Sequence, residues 1–373
     1  MPIFSPHLGG FMADGIEIDF LPVGEGEHSG DAIAIRWKQG DESKVMIYDG
    51  GTKGYGEALV NHVRNHYGVD FVDYVVNSHP DNDHAGGLVY VIENIEVGEL
   101  WMHRPWEYSE VIREFFHDGR MTDDSLAERL KQKMSAAYAL EQAAIAKEIP
   151  IYEPFADSAI GIFTVLSPLR SRYVYELIPN FSKSPELKKS ALSMEGIAES
   201  IGNVIQDAVV ALADAWDKEY LPESVETSSE NESSAILFGK LDGRGYLLTG
   251  DAGIQSLREA ATYAEGLGID LPNEVNFAQI PHHGGRHNVS TETLNLIIGE
   301  PKARTDEPTR VALVSASAKA PKHPKKVVTN AFIRRGFKVI QTKGTHVRHH
   351  HNMGARAGWV SATYVPFYDE TDE

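Results

Sequence analysis

The chain has 373 residues, 42% of them hydrophobic and 24% charged, with a formal charge of −19. This is the make-up of a soluble globular protein able to bury a sizeable core, so disordered and collagen-like chains are excluded. It contains no cysteine, which removes thiol catalysis, iron–sulfur ligation, cysteine-held zinc and disulfides together. No basic-then-apolar leader and no run of about 18 apolar residues is present, so a cytoplasmic protein without a membrane partner is expected.

The chain opens with sheet. IEIDFLPV, DAIAIRW and KVMIYDGG, between residues 16 and 51, read as three strands bounded by glycine or charged turns. EALVNHVRNHY (57–67) puts Leu59, Val60, Val63 and Tyr67 on one helical face, and FVDYVVNSH follows as a buried strand. A helix is predicted over 122–148, with Ser125 and Glu128 as its capping box, followed by strands near 151 and 160–166. A second helix over 194–218 is predicted from a stripe running from Ile197 to Trp216 and read as core packing. The polar stretch 223–234 is a loop that re-enters the sheet at AILFGK and GYLLTGD, and VALVSA, PKKVVTNAFIRRG and FKVIQT form a last strand, helix, strand unit. With no repeat and no linker, one α/β domain over 1–373 is expected, carrying a helical insertion at about 105–222.

Between 301 and 360 the chain has 13 Lys/Arg against Asp306 and Glu307, or +11, which leaves −30 elsewhere. Such a segment is a solvated face or suits a phosphate-bearing substrate. His349, His350 and His351 read as a basic loop, and His62 and His66, one helical turn apart, as surface residues without a third ligand.

Chemistry concentrates at strand ends. NSHPDNDHAGG places His79, Asp81, Asp83 and His84 directly after the strand VDYVV, and imidazole with carboxylate is a donor set for Zn²⁺, Mn²⁺ or Fe²⁺. Asp251 in GYLLTGDAG and His282 and His283 in NFAQIPHHGG end two further strands. Three strand ends delivering such groups suggest two metals about 3.5–4 Å apart sharing a carboxylate, with three Asp and three His making Mn²⁺ plausible beside Zn²⁺.

The order of Asp49-Gly50-Gly51, His79-x-Asp81-x-Asp83-His84, Asp251 and His282-His283-Gly284 resembles the metallo-β-lactamase superfamily, and within it the hydrolase domain of ComEC-type DNA-internalisation proteins. The family's VGQGDA-like opening is matched by Val23-Gly24-Glu25-Gly26 and Asp31-Ala32 with EHSG inserted. Its N-x-x-S stretch is matched by Asn231 and Ser234, and its later His-Pro by His323-Pro324. Gly285 stands where the family has serine. The resemblance implies an αββα sandwich and hydrolysis by a bridging hydroxide. His79 and Asp81 would hold one ion, Asp83 and His84 the other, with Asp251 bridging and one of His282 and His283, His283 favoured, completing a shell. Asp83 thus counts as catalytic as well as ligating. His323 is a candidate proton donor, and Lys322, Lys325 and Lys326 are candidates for holding phosphate.

The reading is therefore a metal-dependent phosphodiesterase or nuclease acting on DNA or a nucleotide with two Zn or Mn ions. Alternatives are a hydrolase of a small ester, lactone or phosphonate with the insertion as lid, and an accessory or effector subunit with a protein partner in a bacterial anti-phage complex.

Overall fold

The computed structural model describes residues 13–24, 28–188, 212–213 and 216–371. Its strands are β1 (Gly15–Phe20), β2 (Ala32–Gln39), β3 (Glu42–Gly50), β4 (Phe71–Val76), β5 (Glu96–Trp101), β6 (Ile151–Tyr152), β7 (Ala159–Ile160) and β8 (Phe163–Ser167). They continue as β9 (Leu212–Ala213), β10 (Ile236–Leu241), β11 (Arg244–Leu248), β12 (Val275–Gln279), β13 (Arg310–Val314), β14 (Phe337–Gln341), β15 (Val347–His351) and β16 (Glu370–Thr371). Two sheets of seven result, β15-β1-β2-β3-β4-β5-β6 and β14-β13-β12-β11-β10-β8-β7, with β16 and β9 paired apart.

Period-two patterning explains why the sheets face each other. In β2, Ile33, Ile35 and Trp37 join Ile16, Ile18, Phe20, Met46 and Tyr48 against Leu237, Tyr246, Leu248 and Phe277 of the second sheet. Ala32 and Ala34 point the other way, beneath Leu59, Val60, Val63 and the helices outside the first sheet. The second sheet is covered on its outer face by the helices Ile254–Gly266, Thr291–Ile298 and Lys326–Arg334. Helix, sheet, sheet, helix is the layering expected from the sequence.

Both sheets turn parallel in the middle: β3, β4, β5 and β6 run parallel, as do β11, β12, β13 and β14. Carboxyl ends of parallel strands, where open α/β sheets carry their ligands, therefore gather on one edge of each sheet. Ala32 of the antiparallel β2 pairs with Gly50, so the start of β2 lies on that edge too.

Several expectations need correction. The 122–148 helix starts from Thr122, whose side chain accepts from Ser125 N–H, and it breaks at Met134 into Asp123–Lys133 and Ser135–Ala146. Ser125 closes that capping box and does not open one. Of the helix expected at 194–218, residues 194–211 and 214–215 lie outside the described residues, while Leu212–Ala213 is strand. His349, His350 and His351 are not loop: they pair with Ile18, Glu17 and Ile16 as β15. His62 is buried, its Nε2 lying 3.3 Å from Asp19 Oδ2, because β1 supplies a carboxylate that helical spacing alone does not reveal.

The basic segment is also only partly a surface. Arg335 pairs with Glu219 at 2.6 Å, Arg310 donates to the backbone carbonyls of Pro272 and Arg335, Arg348 pairs with Glu17 at 2.6 Å, and Arg356 bridges Glu17 and Asp19 at 2.8 and 2.7 Å. Four of the thirteen basic residues, Arg334, Arg335, Arg348 and Arg356, are thus paired with carboxylates within the fold.

Burial would raise the Asp19 carboxyl, but the adjacent His62, the hydrogen bonds from Arg356 and the charges of both outweigh it and hold it at about 2. A depressed carboxyl lends stability above its unfolded value of 3.8 and loses it as pH falls through the folded value. Asp19→Asn is expected to cost about 2 kcal/mol in urea denaturation at pH 7, with the gap to wild type closing between pH 4 and pH 2. A gap that stays constant over that window contradicts the assignment.

Candidate metal centre

Asp49 ends β3 with φ of 60°, a left-handed conformation rare outside glycine, asparagine and aspartate. Its buried carboxylate accepts from Ser78 N–H at 2.7 Å and Ser78 Oγ–H at 2.6 Å, and lies 2.8 Å from His84 Nδ1. Ser78 Oγ is in turn 3.0 Å from His79 Nδ1. With each Nδ1 donating outward, both imidazoles present Nε2 lone pairs to the interior, the arrangement carboxylate–histidine pairs give to metal ligands.

Those lone pairs meet one carboxylate. Asp251 Oδ2 lies 4.0 Å from His79 Nε2, 3.4 Å from His84 Nε2, 3.7 Å from His282 Nε2 and 3.9 Å from His283 Nε2. Asp81 Oδ2 is 3.8 Å from His79 Nε2. Asp31, His84, Asp251 and His283 each offer one atom, all within 4.8 Å of one another, a set that could hold a metal ion. His79 Nε2, His84 Nε2, Asp31 Oδ1, Asp251 Oδ1 and both His283 nitrogens are buried without a hydrogen-bond partner. Leaving that many polar atoms unpaired is costly, and divalent cations satisfy them, so the residues fit the group.

Backbone geometry aims the remaining donors. His282 and His283 both have positive φ, 47° and 56°, in a tight turn after β12, and such strain concentrates at functional sites. Gly284 follows at φ 79°, where a Cβ would sit 2.4 Å from Pro324 Cβ, so only glycine lets the His323-Pro324 loop pack here. His282 Nδ1 is fixed 2.7 Å from Asn288 Oδ1, and Asn288 Nδ2 donates to the Asp251 carbonyl at 2.9 Å. Gln279, at the end of β12, accepts from the N–H groups of Thr249 and Gly250 and donates to Asp31 Oδ2 at 3.0 Å.

Electrostatics follow from burial and crowding. Burial raises the Asp31 carboxyl to about 7 and lowers His283 to about 4, and it is also the leading cause of the lowered His79. For Asp251, burial is outweighed by His84, His282 and His283, which hold it well below the usual carboxylate range. For His84, burial is outweighed by Asp251 and Asp49, which hold it well above the usual imidazole value.

The structure thus brings together His79, Asp81, His84, Asp251, His282 and His283. Between the last two no choice is forced, since each faces Asp251. Asp83 lies half-buried in the turn Asn82–Ala85, near enough to His283 to act on it electrostatically. Asn231 Nδ2 is 3.4 Å from His282 Nδ1, and Ser234 Oγ accepts from Asp251 N–H at 3.1 Å, so both line the inner side of the site. His323 is half-buried within electrostatic reach of His282 and lowered mainly by burial. Lys322 is exposed, the Lys325 N–H donates to the Gly284 carbonyl at 3.0 Å, and Lys326 Nζ lies 5.4 Å from the Tyr368 ring centre. Sequence reasoning missed Asp31 as a donor, although the Asp31-Ala32 pair had been singled out. It also missed Gln279, Asn288 and Lys183, whose ammonium forms an ion pair with Asp81 Oδ1.

Two sheets with this centre on one shared edge have the layering of the metallo-β-lactamase fold. Residues 26–145 match the family model of the Metallo-beta-lactamase superfamily. Among solved structures, the chain is similar to the metallo-β-lactamase fold protein YhfI of Bacillus subtilis, at 9% identity and a TM-score of 0.39 over 90% of this chain and 100% of that one. It is also similar to a metallo-β-lactamase of Thermotoga maritima, at 10% identity and TM-score 0.34 over 69% and 94%. A metallo-β-lactamase of Hirschia baltica matches at 12% identity and TM-score 0.32 over 78% and 95%. No curated protein matches the sequence. Among the described residues no helix is long and apolar enough to cross a membrane.

Asp49→Ala frees the outer nitrogens of His84 and, through Ser78, of His79. Metal affinity, measured by competition with a chromophoric chelator, is expected to fall about 10–100-fold. Unchanged affinity in a folded variant would show that Asp49 does not orient them.

Proposed function

We infer that the protein is a hydrolase that works with two divalent ions, Zn or Mn, and cleaves phosphodiester bonds in DNA or a nucleotide. The observation that supports this most directly is the convergence of four histidine Nε2 atoms within 4.0 Å of Asp251 Oδ2. His84, His283 and Asp31, with Asp83 beside them, would hold one ion, and His79, Asp81 and His282 the other, with Asp251 shared. Bound ions supply Lewis acidity and an activated water at neutral pH.

The chain's own residues account for the rest. Asp49 and Asn288 hold the imidazoles in one tautomer and orientation, and Gln279 keeps Asp31 against the Thr249–Asp251 turn. His323, within electrostatic reach of His282, would be the group that gives a proton to a departing sugar hydroxyl. Favouring an anion is a cleft of about 860 Å³ along the edges of β14 and β15, lined by Lys343, His346, His350 and Trp359 together with Arg348 and Arg356, whose charges are shared with Glu17 and Asp19. A small ester or lactone is the second reading, favoured by the insertion, whose Lys183 reaches Asp81.

The test is cleavage of end-labelled single- and double-stranded DNA with Mn²⁺ or Zn²⁺. Asp83→Ala and Asp251→Ala are expected to abolish it, and absence of wild-type cleavage with either ion counts against the nuclease. His323→Ala is expected to slow DNA cleavage about 100-fold while barely affecting bis(p-nitrophenyl) phosphate, whose leaving group needs no proton. Equal losses on both substrates would remove the proton-donor role.

A further inference from the structure

We propose that Lys183, delivered by the insertion, holds the anionic phosphoryl group of the substrate at the metal centre, an assignment that rests on the phosphodiester reading above. Lys183 Nζ is bound to Asp81 Oδ1, while Asp81 Oδ2 faces His79 Nε2 at 3.8 Å. The ammonium therefore sits on the outward oxygen of a candidate ligand, at the mouth of the centre. Its side chain is 28% exposed and that of Asp81 29%, so a solute reaches both.

The segment presenting it is built, not draped. Phe181 is buried against Tyr173, Ser182 Oγ donates to the buried Glu230 at 2.6 Å, and Ser184 Oγ donates to the Ile178 carbonyl at 2.6 Å. Downstream, Lys188 N–H donates to the Phe115 carbonyl and His117 N–H to that of Glu186. These contacts fix the height of the Lys183 backbone above Asp81 and leave the flexible lysine stem to choose its partner.

Charge gives the ammonium its role. Asp31, Asp49, Asp81, Asp83 and Asp251 are five carboxylates around the centre, so two divalent ions leave it one charge short of neutral. Lys183 supplies that charge, without which an approaching anion meets net repulsion. A phosphoryl oxygen entering beside Asp81 can take over the lysine's hydrogen bond, and charge-assisted contacts of this kind are strong and selective for anions. Of the other lysines the sequence suggests for phosphate, Lys326 packs over Tyr368.

The experiment compares wild type, Lys183→Met and Lys183→Arg in metal-loaded form, by calorimetric titration with inorganic phosphate and by metal content from elemental analysis. Lys183→Met is expected to weaken phosphate binding at least about tenfold with metal content unchanged, and Lys183→Arg to restore most of it. On bis(p-nitrophenyl) phosphate the same loss is expected in KM with kcat little altered. Unchanged phosphate affinity in Lys183→Met overturns the proposal, and so does a parallel loss of metal, which would make Lys183 a positioning residue for Asp81. A wild type that binds phosphate through Lys183 yet hydrolyses no phosphodiester would defeat the reading of the activity and leave the anion site standing.

Discussion

The carboxylate of Asp49 is the constraint around which the centre is organised. One buried anion accepts two hydrogen bonds from Ser78 and one from His84, and through Ser78 it also governs His79. Because the donors come from the loop after β4 and the acceptor from the end of β3, the parallel pairing of these strands and the orientation of two imidazoles are one requirement. A polar network of this kind fixes a single geometry only when every member is satisfied, and here the unpaired Nε2 atoms of His79 and His84 face Asp251.

Topology supplies the rest. Strands whose carboxyl ends share an edge bring together residues that lie 220 positions apart between Asp31 and Asp251. The antiparallel β2 contributes by its beginning what β3 and β4 contribute by their ends. On a chain of charge −19, arginines are spent inside as counter-charges: Glu17 is met by Arg36, Arg348 and Arg356, and Glu219 by Arg335. Part of what looks in the sequence like a basic face, Arg334, Arg335, Arg348 and Arg356, is internal compensation.

This explains which features could be read from the amino-acid order. His79 to His84 stand in one short loop, and their pattern needs no fold to be recognised. The alternation in β2 and the stripe Leu59, Val60, Val63 and Tyr67 likewise follow from local periodicity. Asp31 as a donor, Gln279 and Asn288 were not legible, since each matters only through a partner placed by sheet pairing. His62 reads as exposed for the same reason: its carboxylate is Asp19, 43 residues earlier on β1. The histidines of β15 carry no strand signal of their own and become strand by pairing with β1. At Thr122 the error was local, two overlapping cap patterns of which the earlier one forms. Lys183 had no motif at all, and only the path of the insertion shows where its ammonium ends.

One consequence concerns mechanical coupling. Asp31, His79, Asp81 and His84 hang from the first sheet, whereas Asp251, His282 and His283 hang from the second, and between the sheets lies an apolar interface. An ion shared across that edge would be a clasp on the sandwich, closing a loop of more than two hundred residues without a disulfide. A binding free energy confined to the folded state becomes folding free energy, so in a chain without a single disulfide the metal would serve as the staple that oxidation supplies elsewhere.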